Sequence, residues 1–441
     1  MIKQRKRYGP APKRVALVTL GCPKNDVDSE VLAGRLHLDG YELSNDPQTA
    51  DAILINTCGF IESAKKESIE TILKLLRLKE NGHGPEIHVW GCLSERYKSE
   101  LPKEIPEADG FFGVEAFDEI RSALAGKPVA PGSGAEPRIL STPPHAAYLK
   151  IAEGCSHSCT FCAIPLFKGK YRSRPASDLI REARGLADRG VREISLIAQD
   201  TTAYGMDHGG RSRLSGLLQG LVKIRALDWI RILYAHPLHV DEALIHVMAE
   251  EEKICNYLDM PLQHIHTPIL HRMGRGMDRE ETKSLIGRLR DRIPGLVLRT
   301  AFIVGFPGET EEAFEELLQF IQTVRFERLG AFVYSPEEGT PAFAFGPVPP
   351  RPVAESRYDR TMQAQQAISR EINESLIGKT LPVLIDAYDS PQKLYAGRTR
   401  GDALEIDQTV WVDGPCSPGD IRPVRVAGAD AYDLTGVLDS S

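Results

Sequence analysis

The chain has 441 residues, of which 42% are hydrophobic and 26% charged, with a formal net charge of −7. A single core stops growing at ~250–300 residues, so this length calls for several domains. The acidic balance leaves no general basic footprint for nucleic acid, and no stretch reaches the ~18 apolar residues that a membrane-spanning helix needs.

The basic start (Lys3, Arg5, Lys6, Arg7, Lys13, Arg14) precedes only a short apolar strand and not a signal peptide core. A cytoplasmic protein with no membrane partner is therefore expected. In that compartment eight cysteines stay reduced, and clustered ones serve metals or catalysis better than disulfides. The first segment alternates apolar runs with helical patterns, as in an open parallel α/β sheet. Its predicted strands, "RVALVTL", "DAILINT" and "EIHVW", run into Cys22, Cys58 and Cys92. Neighbouring parallel strands meet at their carboxyl ends in one crevice, so these three thiols are candidates to converge. The stretch "IESAKKESIETILKLL" carries apolar residues at helical spacing with a solvated charged face.

A Pro/Gly-rich stretch between Gly126 and Pro144 reads as a linker. Six strand candidates with helices between them follow: "AYLKIA", "EISLIAQ", "WIRILYA", "NYLDM", "LRTAFIV" and "LGAFVYS". Six βα units predict an incomplete (β/α)6 parallel barrel. After "GPVPPRP" come a polar helix from about Ala354 to Ser375 and short β-like runs, read as a small all-β barrel. The expected domains are 13–128, 141–372 and 373–441.

The loop "EGCSHSCTFC" sets Cys155, Cys159 and Cys162 four and then three residues apart. Thiolates so spaced can ligate three irons of a cubane 4Fe-4S cluster, leaving one iron open. Cys255 falls at the opposite end of the barrel and Cys416 in the last module, so neither is a natural fourth ligand. A Cys3His zinc site using His157 is the competing reading. The loop follows the first barrel strand, at the face where barrel active sites form.

With this loop the chain resembles the radical S-adenosylmethionine (SAM) enzymes, whose CxxxCxxC motif matches Cys155, Cys159 and Cys162 with Phe161 before the last cysteine. The resemblance implies that the open iron binds SAM and that its cleavage yields a 5′-deoxyadenosyl radical. In "IVGFPGET", Gly305 would let backbone approach a ligand closely, and within the resemblance this segment is similar to the SAM-contacting motif, with Glu309 a partner. "IAQD" puts Gln199 and Asp200 where the family holds the amino end of SAM, although the family's Gly-Gly-Glu is absent and such residues also cap helices.

"LGCPKNDVDSE", "INTCGFIESAKKES" and "WGCLSERY" extend the resemblance to the methylthiotransferases, radical SAM enzymes with a second three-cysteine 4Fe-4S cluster, over nearly the whole chain. Two 4Fe-4S clusters and SAM are the implied cofactors; buried structural thiols are the alternative for Cys22, Cys58 and Cys92. A reductant such as flavodoxin or ferredoxin and a sulfur donor are the implied partners. "NYLDMPLQHIHTPIL" offers Gln263, His264 and His266, with His264 a candidate for substrate positioning or proton transfer, or else part of a polar barrel mouth.

Methylthiotransferases modify either transfer-RNA adenosine or an aspartate of small-subunit ribosomal protein S12, and their last module, the TRAM barrel, resembles the end of this chain. From Asn373 to Ser441 eleven acidic residues stand against six basic ones, a formal charge of −5. Phosphate binding needs Lys and Arg, so an acidic module suits a basic ribosomal protein, free or in the ribosome. Asp402, Glu405 and Asp407 are the docking candidates, and "GCPKNDVDSE" resembles the ribosomal-protein branch. Aspartate methylthiolation is thus the expected activity. Transfer-RNA methylthiolation and a non-catalytic iron-sulfur electron carrier are the alternatives.

Overall fold

The computed structural model describes residues 13–79, 84–131 and 137–439. The basic residues before Lys13 and the middle of the Gly126–Pro144 linker lie outside the described residues. The chain divides into two compact units, 1–141 and 142–441.

The first unit is a five-stranded parallel sheet in the order β2-β1-β3-β4-β5. Its strands are β1 (Arg14–Thr19), β2 (Glu42–Ser44), β3 (Ala52–Thr57), β4 (Glu86–Gly91) and β5 (Gly110–Phe111). Alternate side chains go to opposite faces, so Ile53, Ile55, Ile87 and Val89 pack beneath Ile72 and Leu75, while Leu54 and Trp90 pack on Leu32, Leu36, Ile120 and Leu124. With both faces covered, β3 is buried throughout, which explains its unbroken apolar run. The predicted charged helix spans Glu62–Leu76.

The second unit opens with a six-stranded parallel sheet in the order β13-β12-β11-β10-β9-β6. These are β6 (Ala146–Lys150), β9 (Glu193–Ile197), β10 (Trp229–Ile232), β11 (Ile254–Asp259), β12 (Val297–Val304) and β13 (Arg328–Val333); a small ladder of β7 (Ala152–Glu153) and β8 (Arg172–Ser173) folds over the first crossover. The expected incomplete barrel of six parallel strands is present. A helix, Arg351–Glu374, then leads to a closed five-stranded barrel of β14 (Thr380–Asp389), β15 (Leu394–Thr399), β16 (Val410–Asp413), β17 (Ile421–Ala429) and β18 (Leu434–Leu438). Val383, Ile385, Val410, Val412, Val424 and Val426 fill its interior.

The small barrel inserts its Arg398–Asp407 segment into the amino-terminal end of the larger one. Glu193, the first residue of β9, takes Arg231 at 2.9 Å and Arg398 at 2.7 Å, and Arg398 also grips Asp386 at 2.7 and 2.9 Å. Arg328 holds Asp402 at 2.7 Å, and Tyr257 donates to Asp407 at 2.7 Å. Arg299 lies between Asp259 at 2.9 Å and Asp407 at 3.4 Å. The Asp402 and Asp407 side chains are 0% and 3% exposed, so they stopper the barrel and are not available for docking, contrary to the sequence expectation. Of the three acidic candidates only Glu405 is on the surface.

Breaking a buried pair leaves an uncompensated charge. Asp402→Ala is therefore expected to lower stability by about 3–5 kcal/mol in chemical denaturation, whereas Asp413→Asn, on the exposed outer edge, should stay within about 0.5 kcal/mol.

Candidate functional site

Each cysteine trio sits where the parallel strands end. In the first unit, β1, β3 and β4 are adjacent, and Cys58 and Cys92 directly follow β3 and β4. Cys22 lies three residues past β1 and precedes the helix Pro23–Leu38. The buried Asn25 side chain ties the three strand ends together, donating to Leu20 O at 2.7 Å and Thr57 O at 3.3 Å and accepting from Cys92 Sγ at 3.8 Å. Ser68 brackets Cys58, its hydroxyl accepting from the Cys58 amide and donating to the Cys58 carbonyl, both at 3.0 Å. None of the eight cysteines is in a disulfide.

In the second unit the Cys155–Cys162 loop follows β7, at the carboxyl end of the larger barrel. It is pinned from two sides. The Cys155 amide donates to Gly169 O at 3.0 Å and the Tyr171 amide to Ser156 Oγ at 3.1 Å. From below, Thr160 donates through its amide to Met273 O at 3.0 Å and through its hydroxyl to Arg272 O at 2.8 Å. Phe161 packs edge-on against Phe306, 6.4 Å between ring centres, beside Ile269, Met273 and Ala342. Burial pushes the Cys155 thiol up to about 11 and Cys162 up to about 12, with Arg275 pulling the other way. Thiols so buried become stable thiolates only with a cation to hold, which fits the donor set for a soft metal cluster.

Gln199 and Asp200, past β9, have different surroundings. Gln199 donates to Glu153 Oε1 at 2.9 Å, and its own carbonyl oxygen is buried without a hydrogen-bond partner. Burial raises Glu153, but Lys150 at 2.8 Å and Lys168 at 3.3 Å outweigh it and hold the carboxyl far below its ordinary range. Asp200 accepts from His157 Nε2 at 2.7 Å and His239 Nδ1 at 3.0 Å, and from Thr202. Those hydrogen bonds overcome burial and keep Asp200 ionised. His157 stacks on His236 at 4.1 Å and on His239 at 4.9 Å. Nitrogens of the three rings lie within 4.8 Å of one another, a spacing a metal ion could use. Stacked rings, however, aim their in-plane lone pairs in parallel, and Asp200 already engages two of the rings. His157 is therefore oriented toward Asp200, which disfavours the Cys3His zinc reading.

Three sequence expectations need correction. The Gly305 backbone, at φ +74°, is left-handed because the helix Arg351–Glu374 presses against it: an added Cβ would lie 2.5 Å from Ala354 Cβ. The close approach seen on the side where a Cβ would stand is to this helix. Glu309 does not face an open cavity; it accepts from the Phe306 amide at 3.1 Å and pairs with Arg357 at 3.2 Å, braced inside the loop, where burial pushes its carboxyl up to about 7 against the pull of Arg357. His264 is 0% exposed, accepts from the His266 amide at 2.9 Å and is driven down to about 3 by burial, so it belongs to the packed interior and not to the mouth. Sequence reasoning missed Glu153, Lys168 and Arg275. The adjacency of Glu153 to "GC" and the flanking glycines of "MGRGM" were the available signals.

Comparison with known proteins agrees with this layout. Residues 14–113 match the family described as uncharacterized protein family UPF0004, 149–321 the radical SAM superfamily and 377–438 the TRAM domain. The ribosomal protein uS12 methylthiotransferase RimO of Anaeromyxobacter sp. (strain Fw109-5) is 48% identical over 97% of this chain and 93% of its own length. This chain belongs to the RimO family of radical SAM methylthiotransferases. The RimO of Myxococcus xanthus is 47% identical over 96% of this chain and 91% of its own length. The radical SAM methyltransferase TsrM of Kitasatospora setae, solved with cobalamin and a [4Fe-4S] cluster, shares the fold at a TM-score of 0.56 and 16% identity over 75% of this chain and 77% of its own. As in other radical SAM enzymes, an iron-sulfur cluster and SAM are the methylthiotransferase's cofactors.

Gly305→Val is expected to cost about 1–3 kcal/mol from the left-handed backbone alone, plus the clash with Ala354. Gly308→Ala, whose added Cβ meets nothing nearer than 3.5 Å, should show the backbone cost without the clash in the same denaturation assay.

Proposed function

We propose that this chain adds a methylthio group to the β-carbon of an aspartate in small-subunit ribosomal protein S12 (uS12), with SAM as radical source and methyl donor. The observation that carries the reading is the alignment, over almost the full chain, with relatives named for that modification. Cys155, Cys159 and Cys162 hold the radical cluster, and Cys22, Cys58 and Cys92 hold the second. Bound by those residues, the first cluster would supply the one-electron chemistry that SAM cleavage needs, and the second would supply a site for the sulfur to be transferred. An external one-electron reductant such as flavodoxin or ferredoxin and a separate sulfur donor complete the reaction.

The protein's own groups divide the remaining work. The unpartnered Gln199 carbonyl needs a donor, and the SAM ammonium supplies one. Lys150 and Lys168 keep Glu153 ionised, and Glu153 in turn fixes the Gln199 amide in the orientation that leaves that carbonyl free. Phe161, wedged against Phe306, holds the cysteine loop beside the proposed SAM site. Asp402 and Asp407 are consumed as internal partners, but Glu374, at the end of the helix that leads to the small barrel, and Glu405 and Asp413 on the barrel itself remain exposed and favour a basic protein over an RNA backbone.

Anaerobically reconstituted protein should hold about eight irons, two cubanes. Replacing Cys155, Cys159 and Cys162 together by Ala should halve the iron and abolish 5′-deoxyadenosine formation from SAM; replacing Cys22, Cys58 and Cys92 should halve it too but spare some cleavage while methylthio transfer is lost. Unimpaired methylthio product from the second variant would remove the second cluster from the reaction.

Neutralising Glu374, Glu405 and Asp413 to Gln, Gln and Asn should slow association with uS12 at low salt, with the difference fading as the Debye length falls to ~8 Å at physiological ionic strength and below. An unchanged on-rate, together with salt-steep binding of transfer RNA, would transfer the assignment to RNA. Mass spectrometry of uS12 and transfer RNA from a deletion strain identifies the substrate by the methylthio group that is lost.

A further inference from the structure

Arg275 is a buried cation beside the Cys155–Cys162 loop, and the assigned functions leave it without a task. It is 6% exposed and lies beside Cys159. One guanidinium nitrogen, Nη1, donates to Cys159 Sγ at 3.5 Å, while Nη2 donates to Pro261 O at 2.8 Å and fixes the plane of the group. The third, Nε, is buried with no partner.

The backbone is built to hold this group in place. The helix Thr267–Arg272 ends in a tight turn, with the Gly274 amide on His271 O and the Arg275 amide on Leu270 O, both at 3.0 Å. Gly274, at φ +73°, lies so close to the cysteine loop that an added Cβ would sit 2.6 Å from Ser158 O. With Thr160 bonded to Met273 and Arg272, the turn and the loop form one stitched unit. An unpaired buried donor is costly, and so is a buried guanidinium without an anion. Thiolates and inorganic sulfides supply both an acceptor and a counter-charge.

We infer that Arg275 raises the reduction potential of the cluster held by Cys155, Cys159 and Cys162, so that a milder one-electron reductant can charge it. The inference rests on the assignment of that trio as cluster ligands. Reduction moves one electron from the external reductant into the cluster and breaks no bond, and each added electron makes the thiolate-held core one charge more negative. A fixed guanidinium in a low-dielectric site stabilises the more negative form more than the less negative one, and N–H···S hydrogen bonds act in the same direction. Lys would keep the charge but lose the planar fork that engages sulfur and Pro261 together.

The test is a potentiometric titration of the full-length reconstituted protein, following by electron paramagnetic resonance the reduced signal that added SAM perturbs. In Arg275→Gln, at a fixed potential near the midpoint, the reduced-to-oxidised ratio should fall at least tenfold, which is ~59 mV for a one-electron couple. Arg275→Lys should stay within about threefold of the starting protein, and if the Gln variant does not retain iron, a Lys variant whose ratio falls about tenfold or more overturns the inference by itself. A Gln variant with full iron and an unchanged midpoint overturns the inference, as does a Lys variant that shifts as far as Gln. The Cys155→Ala, Cys159→Ala, Cys162→Ala protein separates the two readings: if its SAM-perturbed signal persists, the ligand assignment has failed and the inference falls with it. If the signal is lost while Arg275→Gln leaves the midpoint unmoved, only the role of Arg275 is refuted.

Discussion

Six parallel strands leave a barrel open along one side and empty at its floor, and the buried lattice of Glu193, Arg231, Arg398, Asp402, Arg328, Arg299 and Asp407 fills that floor. Taking so many charges out of water costs several kcal/mol per ion unless each finds a partner at close range. Here each carboxylate meets a guanidinium, and Tyr148 and Arg231 add hydrogen bonds to the Leu404 and Arg400 carbonyls at 3.1 and 2.7 Å. Closing the amino-terminal end in this way leaves the carboxyl end as the open face for chemistry. That face carries the radical SAM cysteine loop, Gln199 and Arg275.

The same lattice explains how far charge counting could go. The −5 of the last module is a property of its sequence, but three of its carboxylates, Asp386, Asp402 and Asp407, turn inward to Arg398, Arg328 and Arg299. Composition cannot distinguish an aspartate that meets a partner from one that meets a buried arginine: Arg398 is on the next strand of the same barrel, while Arg328 and Arg299 come from the larger barrel, far away in the sequence. The cysteines were legible for the opposite reason. A strand that ends in a cysteine, or a loop that carries three, fixes where its thiols fall by local geometry alone.

The glycine-rich strand end shows where local reasoning stops. "IVGFPGET" does break β12 into a left-handed turn, as its glycines suggest, yet the object that comes near Gly305 is Ala354, about fifty residues later in the chain. Likewise Glu309 is a conspicuous polar residue in a loop, but Arg357 reaches back to occupy it. His264 is polar and near a strand end, and only packing reveals that it has no exposed surface. In each case the missing information was a contact between distant segments. The βα periodicity, by contrast, gave all six barrel strands because each is decided within its own few residues.

Those two contacts with Gly305 and Glu309 come from one end of the helix Arg351–Glu374, and at its other end Asn373 donates to Asp430 O of the small barrel at 3.0 Å. Between them Gln365 donates to Phe326 O at 2.8 Å, anchoring the middle. Twenty-four helical residues at 1.5 Å each make a rod of ~36 Å. The rod works as a measuring stick: the loop after β12 and the outermost barrel are held a fixed number of helical turns apart. Inserting or deleting even one residue in it would rotate one end against the other by about 100°, given 3.6 residues per turn. Variation in length is thus tolerable in the surface turns of this protein but not along this helix.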